Sequence, residues 1–241
     1  MKKIFIQTTF VFLIVLLLLG IPMIAGEIAN KIPNTYIDPD GSFWWISVHH
    51  LAQALMFVPL FFLAKHWVPG VKFHLGLGDV KKGFVYVWRF SLFFLIYTLI
   101  GYAITFATSG FQPFQFDINS TNVFGYLGFQ LFLSGPSEEL IFRAFGIGMI
   151  ALVIPGRIFK GKMSTANLLA AIIFGLAHVG VSFSPFNLSY SLFQVIYAIA
   201  LGLIYGHCFE KTKSILYPMM MHSLSNFIAV GSTIMVTILI G

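Results

Sequence analysis

Long apolar stretches constrain the fold of this chain more than any other feature of its sequence. A helix that crosses a membrane needs about 20 mostly apolar residues, and the 241-residue chain has six or seven such stretches. A β-barrel would show short segments of alternating polarity instead. The sequence therefore predicts an all-α, polytopic membrane helical bundle in a single domain, residues 1–241. The stretches cover approximately residues 4–26, 43–64, 84–108, 122–154, 164–181, 188–208 and 215–240.

The composition excludes a water-soluble protein. Apolar residues make up 58% of the chain and charged residues only 9%, whereas charged residues are about a quarter of a soluble domain. The formal charge of +6 does not indicate nucleic-acid binding, because the basic residues are scattered over short loops instead of forming one face. Cys208 is the only cysteine, so an intramolecular disulfide and a cysteine-based zinc cluster are both excluded.

The charges of the loops predict the orientation of the chain in the membrane. Lys and Arg concentrate in cytoplasmic loops, and here basic loops alternate with loops that are acidic or uncharged. The amino terminus is therefore predicted to be cytoplasmic, with the first stretch retained as a span although it imitates a signal peptide. The basic loops hold Lys2 and Lys3; Lys65, Lys72, Lys81 and Lys82; Arg157, Lys160 and Lys162; and Lys211 and Lys213.

Stretch 122–154 is longer than a single span requires. As a helix it would measure about 50 Å, and Gly135-Pro136 lies in its middle. It is either one tilted, broken helix or two pieces. The predicted number of transmembrane segments is accordingly seven to eight.

The same stretch carries charges in its middle, namely Glu138, Glu139 and Arg143. A charge there costs on the order of 2.5 to 3.5 kcal/mol and marks a functional candidate. Glu139 and Arg143 are spaced i to i+4 and are expected to form an ion pair, with Ser137 capping a helix that begins at Glu138. Glu138 points about 100° away. An unpaired carboxylate in the membrane favours chemistry over a purely structural role.

Two histidines, His178 and His222, lie deep in other apolar stretches, and Asn226 follows His222 at i+4. A buried glutamate beside a histidine can take a proton from water, and histidine and asparagine donors can stabilise an oxyanion. Glutamates and histidines can instead hold zinc, with Glu138, His178 and His222 as its ligands. The remaining histidines, at the ends of stretches or in loops, are assigned no function: His49, His50, His66, His74 and His207.

Three short motifs occur in order on separate stretches. They are Glu138-Glu139-x-x-x-Arg143, Phe174-x-x-x-His178 and His222-x-x-x-Asn226. Together they resemble the motifs of the CPBP family, the CAAX-processing and bacteriocin-processing intramembrane endopeptidases, also called the Abi family. The resemblance covers about residues 122–230, which we take as the predicted catalytic core.

The resemblance implies a membrane bundle with its active site inside the bilayer. In it, Glu138 and His178 would activate water, and His222 and Asn226 would form the oxyanion site. Glu139 and Arg143 would be supporting residues. The implied reaction is hydrolysis of a peptide bond in a peptide or membrane-anchored protein, with the lipid bilayer as surroundings. No cofactor is favoured, because a glutamate beside a histidine can activate water directly; zinc is the open alternative.

Two other functions are open on the sequence alone. One is a bacteriocin-immunity or scaffold protein that keeps the fold without cleavage. The other is a small transporter, because buried Glu, Arg and His side chains can relay protons. The clustering of all three motifs in one half, with no inverted repeat in the other, speaks against the transporter.

The predicted topology contains one conflict of depth. It puts His178 near the outer end of its stretch and His222 only about 10 Å from the inner end of its own. A compact site then needs a shifted helix or a recessed loop at 182–187. Such a loop is expected to be buried in protein or to line a cavity.

Overall fold

Helices dominate the computed structural model, which describes residues 2–183 and 185–240. Five helices in these residues are long and apolar enough to cross a membrane. The chain is therefore an integral membrane protein, and its predicted helical architecture is confirmed. The predicted number of seven to eight transmembrane segments is not confirmed by these five helices. The five are α1 (Lys2–Asn30), α2 (Trp44–Trp67), α3 (Val80–Ala107), α6 (Leu192–Thr212) and α7 (Leu216–Ile240).

Between α3 and α6 the chain forms a long composite helix, α4, which starts at Ser120 and ends at Val153. It is one helix and not two pieces, because the residues at every internal junction keep right-handed helical angles. Two of its segments are π-helical, Gln130–Ser134 and Leu140–Ile147. Ser137 therefore lies inside a continuous helix, and the predicted helix start at Glu138 is wrong. The α-helical segments are Ser120–Phe129, Gly135–Glu139 and Gly148–Val153.

The carboxyl-terminal part of α4 is enclosed by protein on all sides. Ten consecutive residues, from Ile141 to Ile150, are buried, whereas a helix with a lipid-facing side would expose a stripe of residues. Earlier in the same helix, Gly135 allows α7 to pack closely against α4. A Cβ atom at this position would lie 2.8 Å from the backbone nitrogen of Ser223. This close contact brings the polar middle of α4 next to α7.

A short helix, α5 (Thr165–Leu176), follows α4. Ser164 caps it by accepting a hydrogen bond from the Asn167 backbone N–H at 2.9 Å. Twelve residues extend about 18 Å, so α5 is too short to cross the bilayer and the predicted span at 164–181 is wrong. The reason is that apolar composition alone does not distinguish a helix from the strand that follows it.

Two hairpins are the exceptions to the all-α prediction in the described residues. Strand β1 (Arg157–Ile158) pairs with β2 (Met163–Ser164), and β3 (Gly180–Phe183) pairs with β4 (Phe186–Ser189), both antiparallel. The second hairpin occupies the place of the recessed loop predicted at 182–187. The side chains of β4 are exposed, and Ser184 lies outside the described residues.

The early end of α5 removes the conflict of depth. His178 comes two residues after the end of α5 at Leu176, so it lies about 20 Å along the chain direction from the start of that helix. His178 and His222 line the same cavity, so the two side chains lie at a similar depth in the bundle.

Loops that alternate along the sequence meet at the same end of the bundle. Lys72, Arg157 and Lys213, from three different basic loops, line one cavity of about 330 Å³. At the other end of α2, the Asp40 carboxylate accepts a hydrogen bond of 2.7 Å from the Asn122 side chain at the start of α4. Basic loops thus share one end, and acidic or uncharged loops the other.

Candidate active site

A cavity of about 370 Å³ opens between α2, α4, α6 and α7. Its walls include Glu138, His178, His222 and Asn226. The structure therefore brings together all four residues that the sequence predicts as catalytic, from three separate places in the chain. The predicted supporting residues, Glu139 and Arg143, do not line this cavity and are 0% and 1% exposed.

Glu139 and Arg143 form the predicted ion pair behind the cavity. Arg143 Nε lies 2.9 Å from Glu139 Oε2, although the N–H is not aimed well enough at the oxygen to count as a hydrogen bond. The guanidinium also lies 4.3 Å from the centre of the Phe174 ring, in cation–π contact. Charge attraction and this ring together stabilise a cation that is cut off from solvent.

His222 connects the buried pair with the cavity. Its Nδ1 is 2.9 Å from Glu139 Oε1, and because the Arg143-paired carboxylate accepts, Nδ1–H is the donor. The other ring nitrogen, Nε2, then faces Glu138 Oε2 at 3.8 Å. The Tyr205 ring stacks on the imidazole with 5.0 Å between centres. The orientation of His222 is thereby fixed from two sides.

His178 is held by the backbone of its own motif. Its Nδ1 lies 2.8 Å from the carbonyl oxygen of Phe174, and a carbonyl only accepts, so the proton sits on Nδ1. In the neutral ring, Nε2 is then a free acceptor. Neither nitrogen of His178 lies within 4.0 Å of a Glu138 oxygen, so the two side chains share the cavity without direct contact.

Asn226 stands one turn after His222 on α7. Its Nδ2 donates a hydrogen bond of 3.0 Å to Ser134 Oγ on α4. This bond uses one of the two N–H groups of the amide. The second N–H remains for a ligand in the cavity.

Sequence reasoning missed His50, which it placed among the histidines without function. In the structure His50 is buried in α2, and its Nε2 lies 3.7 Å from Glu138 Oε1. The available signal was Gln53, which follows His50 at i+3, so that two polar side chains share one face of an apolar stretch. Among the described residues, the other four histidines without assigned function do not line the cavity: His49, His66, His74 and His207.

The arrangement of side chains in the cavity bears on the hypothesis that Glu138, His178 and His222 hold a zinc ion. In residues 2–183 and 185–240, no group of three or more His, Cys, Asp or Glu side chains is placed to hold a metal ion. Glu138, His178 and His222 share the cavity but do not form such a group. The side chains as arranged do not fit a three-ligand metal centre.

The comparison with known families agrees with this geometry. Residues 120–228 match the family model described as Type II CAAX prenyl endopeptidase Rce1-like. This part of the chain is therefore similar to the Rce1-like family. The predicted resemblance to CAAX-processing endopeptidases is thereby confirmed. The Rce1-like segment includes all of α4, α5 and α6, whereas α1, α2 and α3 precede it. No curated protein and no solved structure matches the chain.

Proposed function

We propose that the chain is an intramembrane endopeptidase that hydrolyses a peptide bond in a peptide or membrane-anchored protein. The observation that carries the proposal is the state of Glu138. This carboxylate accepts no hydrogen bond from the described residues, yet the imidazoles of His50 and His222 lie 3.7 and 3.8 Å from its oxygens. A carboxylate that is faced by two imidazoles but hydrogen-bonded to neither is available to accept a proton.

In the proposed reaction, Glu138 and His178 activate a water molecule. The free Nε2 of His178 accepts one hydrogen bond from the water, and the Glu138 carboxylate takes the other proton as the oxygen attacks the substrate carbonyl. The carbon–nitrogen bond then breaks, and Glu138 returns its proton to the leaving amine. The separation between Glu138 and His178 supports this division of roles because it leaves room for the water.

Asn226 and His222 are proposed to stabilise the oxyanion that forms on the attacked carbonyl. Asn226 supplies its second amide N–H. His222 already donates through Nδ1 to Glu139, so it can donate through Nε2 only as an imidazolium. Such a cation would balance the charges of the site, because the carboxylates of Glu138 and Glu139 would then be matched by the cations of Arg143 and His222. Balanced charges reduce the free-energy cost of burying them.

The substrate class follows from the family description and from the cavity wall. The matching family is described as a prenyl endopeptidase for CAAX segments. Aromatic rings, among them Phe94, Phe129 and Tyr197, also line the cavity, and they suit an apolar chain next to the cleaved bond. A farnesylated CAAX peptide is therefore the first substrate to assay.

The reaction is proposed to be independent of a metal ion, since Glu138 has the imidazole partners that it needs to activate water. Elemental analysis of active, purified protein, combined with chelator treatment, tests this point. We expect no stoichiometric zinc and full activity after chelation. Activity lost to chelator and restored by zinc would instead make Glu138, His178 and His222 ligands.

The basic end of the bundle is proposed to face the cytoplasm, together with the amino terminus. The meeting of three basic loops at one end supports this orientation. The test uses a Cys208→Ser background with a single cysteine at either Tyr36 or Lys72. A maleimide that does not cross membranes should label Tyr36→Cys in intact cells and Lys72→Cys only after lysis, and the reverse pattern would invert the orientation.

The proposed activity is tested by comparing membranes that contain wild type or Glu138→Gln. Cleavage of a farnesylated CAAX peptide should disappear in the variant, and a proteomic comparison should reveal a membrane peptide whose processing is lost. Glu27→Gln is the matched control, because Glu27 makes no hydrogen bond or ion pair with other described residues. Unchanged processing and unchanged biological activity in Glu138→Gln would favour the immunity or scaffold function.

A further inference from the structure

His50 reaches the site from α2, a helix outside the Rce1-like segment. Its side chain is 6% exposed, and its Nε2 lies 3.7 Å from Glu138 Oε1. On the other side, His222 Nε2 lies 3.8 Å from Glu138 Oε2. The two oxygens of one carboxylate are thus each faced by the Nε2 of a different imidazole.

The surroundings of His50 determine which ring nitrogen carries the proton. Gln53 Nε2 lies 3.2 Å from His50 Nδ1, and an amide nitrogen only donates, so Nδ1 must accept. Ser137 Oγ lies 2.7 Å from the same Nδ1, closer than the 3.2 Å to the Ser134 carbonyl oxygen, and its hydroxyl serves as a second donor. With two donors at Nδ1, the proton of the neutral ring is on Nε2, directed at Glu138.

We infer that His50 is a positioning residue that orients Glu138 through its Nε2–H, with Gln53 and Ser137 fixing the tautomer. The inference rests on the proposed function, in which Glu138 accepts the proton of water. At 3.7 Å the contact is longer than a hydrogen bond. His50 therefore attracts the carboxylate without occupying its lone pairs, and Glu138 stays oriented and free to act.

The kinetic test separates orientation from packing. His50→Phe keeps the ring and removes both nitrogens, so kcat on a farnesylated CAAX peptide should fall about 10- to 100-fold, because a small misplacement of a catalytic group can cost up to about 10²-fold. KM should change little, because His50 acts through Glu138. His50→Gln keeps an N–H near the position of Nε2 and should recover part of kcat. His66→Phe, at an exposed position of the same helix, is the control and should match wild type.

Two kinetic outcomes would overturn the inference. One is a His50→Phe variant with the kcat of wild type. The other is a His50→Gln variant that is as slow as His50→Phe while both raise KM, since that pattern belongs to a side chain that only fills space.

A second measurement does not depend on cleavage. Nitrogen-15 NMR of histidine-labelled protein in detergent reports the protonation of each ring nitrogen, and the His50 signals are identified by their loss in His50→Phe. We expect a protonated Nε2 in wild type and a partial shift of the proton to Nδ1 in Gln53→Met. A proton on Nδ1 in wild type would overturn the inference. If wild type cleaved no peptide but showed the expected tautomer, the proposed function would fail and the arrangement of His50 would stand.

Discussion

Two acidic residues in different regions of this protein, Asp38 and Glu138, are both withdrawn from solvent, yet they are treated in opposite ways. Asp38, in the loop before α2, is 3% exposed and accepts backbone hydrogen bonds from Ser42, Phe43 and Trp44 at 2.8, 2.8 and 2.6 Å. Glu138 is 17% exposed to its cavity and accepts no hydrogen bond from the described residues. The nearest imidazole nitrogens, from His50 and His222, lie at 3.7 and 3.8 Å.

The contrast separates an acid that stabilises the fold from one that is available for chemistry. Burial acts to raise the pKa of Asp38, but the hydrogen bonds from Trp44, Phe43 and Ser42 outweigh it, and the pKa is lowered from its ordinary value. The folded state therefore prefers this group ionised. Glu138 accepts no such hydrogen bonds from the described residues, so it loses none when it takes up a proton. The number of hydrogen bonds that a carboxylate accepts is therefore a better guide to its role than its exposure to solvent.

The largest expected effect is on cleavage when the available acid or its partners are removed. Glu138→Gln, His178→Ala and His222→Ala should each abolish hydrolysis of a farnesylated CAAX peptide, because each removes a group proposed to activate the water or to stabilise the oxyanion. Membrane insertion and protein level should stay close to wild type. Activity assays and quantitative blotting of the same membranes measure both. Full cleavage by any of the three would remove that residue from the proposed mechanism.

The next effect concerns the buried pair behind the site. Arg143→Ala strands the Glu139 charge and should cost about 3 to 5 kcal/mol of folding free energy. Loss of folded protein should accompany loss of activity, as measured by thermal unfolding in detergent. An Arg143→Ala protein that is as abundant and thermostable as wild type but inactive would assign Arg143 to the chemistry instead.

A smaller effect is expected at the proposed oxyanion site. Asn226→Ala should lower kcat/KM by about 10²- to 10³-fold, which corresponds to about 2.7 to 4 kcal/mol of transition-state stabilisation. Ser134→Ala is the control, because it removes the hydroxyl that accepts from Asn226 and leaves the amide in place. If the two variants were equally slow, loss of the hydrogen bond between the Asn226 and Ser134 side chains would explain both results. Asn226 would then not act on the substrate.

The smallest effect should come from the satisfied acid. Asp38→Asn should cost about 1 to 3 kcal/mol of stability and leave the activity of each folded molecule unchanged. Because the pKa of Asp38 is lowered in the folded state, its contribution is present above the unfolded value and is lost as the pH falls through the folded value. Unfolding temperatures measured from neutral to acidic pH should converge for wild type and variant. Parallel curves would contradict this origin of the stability.

The sequence could predict those features that depend on residues close together in one helix. The pair of Glu139 and Arg143 follows from i to i+4 spacing alone, and it is present at 2.9 Å. The helical membrane bundle follows from the apolar stretches, and three short motifs predict the resemblance to CAAX-processing endopeptidases, whose family model matches residues 120–228. Each of these features is local or compositional.

Features that depend on packing between helices could not be predicted in this way. His50 stands near the start of α2, so the sequence alone gives it the appearance of a residue at a span end. Only the packing of α2 against α4 brings it to Glu138. The π-helical segments could not be predicted either. A rule based on about 3.6 residues per turn does not detect a turn that holds one more residue. The end of α5 was missed because the strand β3 continues the apolar run.

The enclosed part of α4 has a consequence for how this chain tolerates change. In a membrane helix with one side facing lipid, positions that tolerate substitution alternate with positions that do not, because successive residues face lipid and protein in turn. From Ile141 to Ile150 every side chain is buried, so a saturation library over these positions should show an unbroken block of intolerance with no helical rhythm.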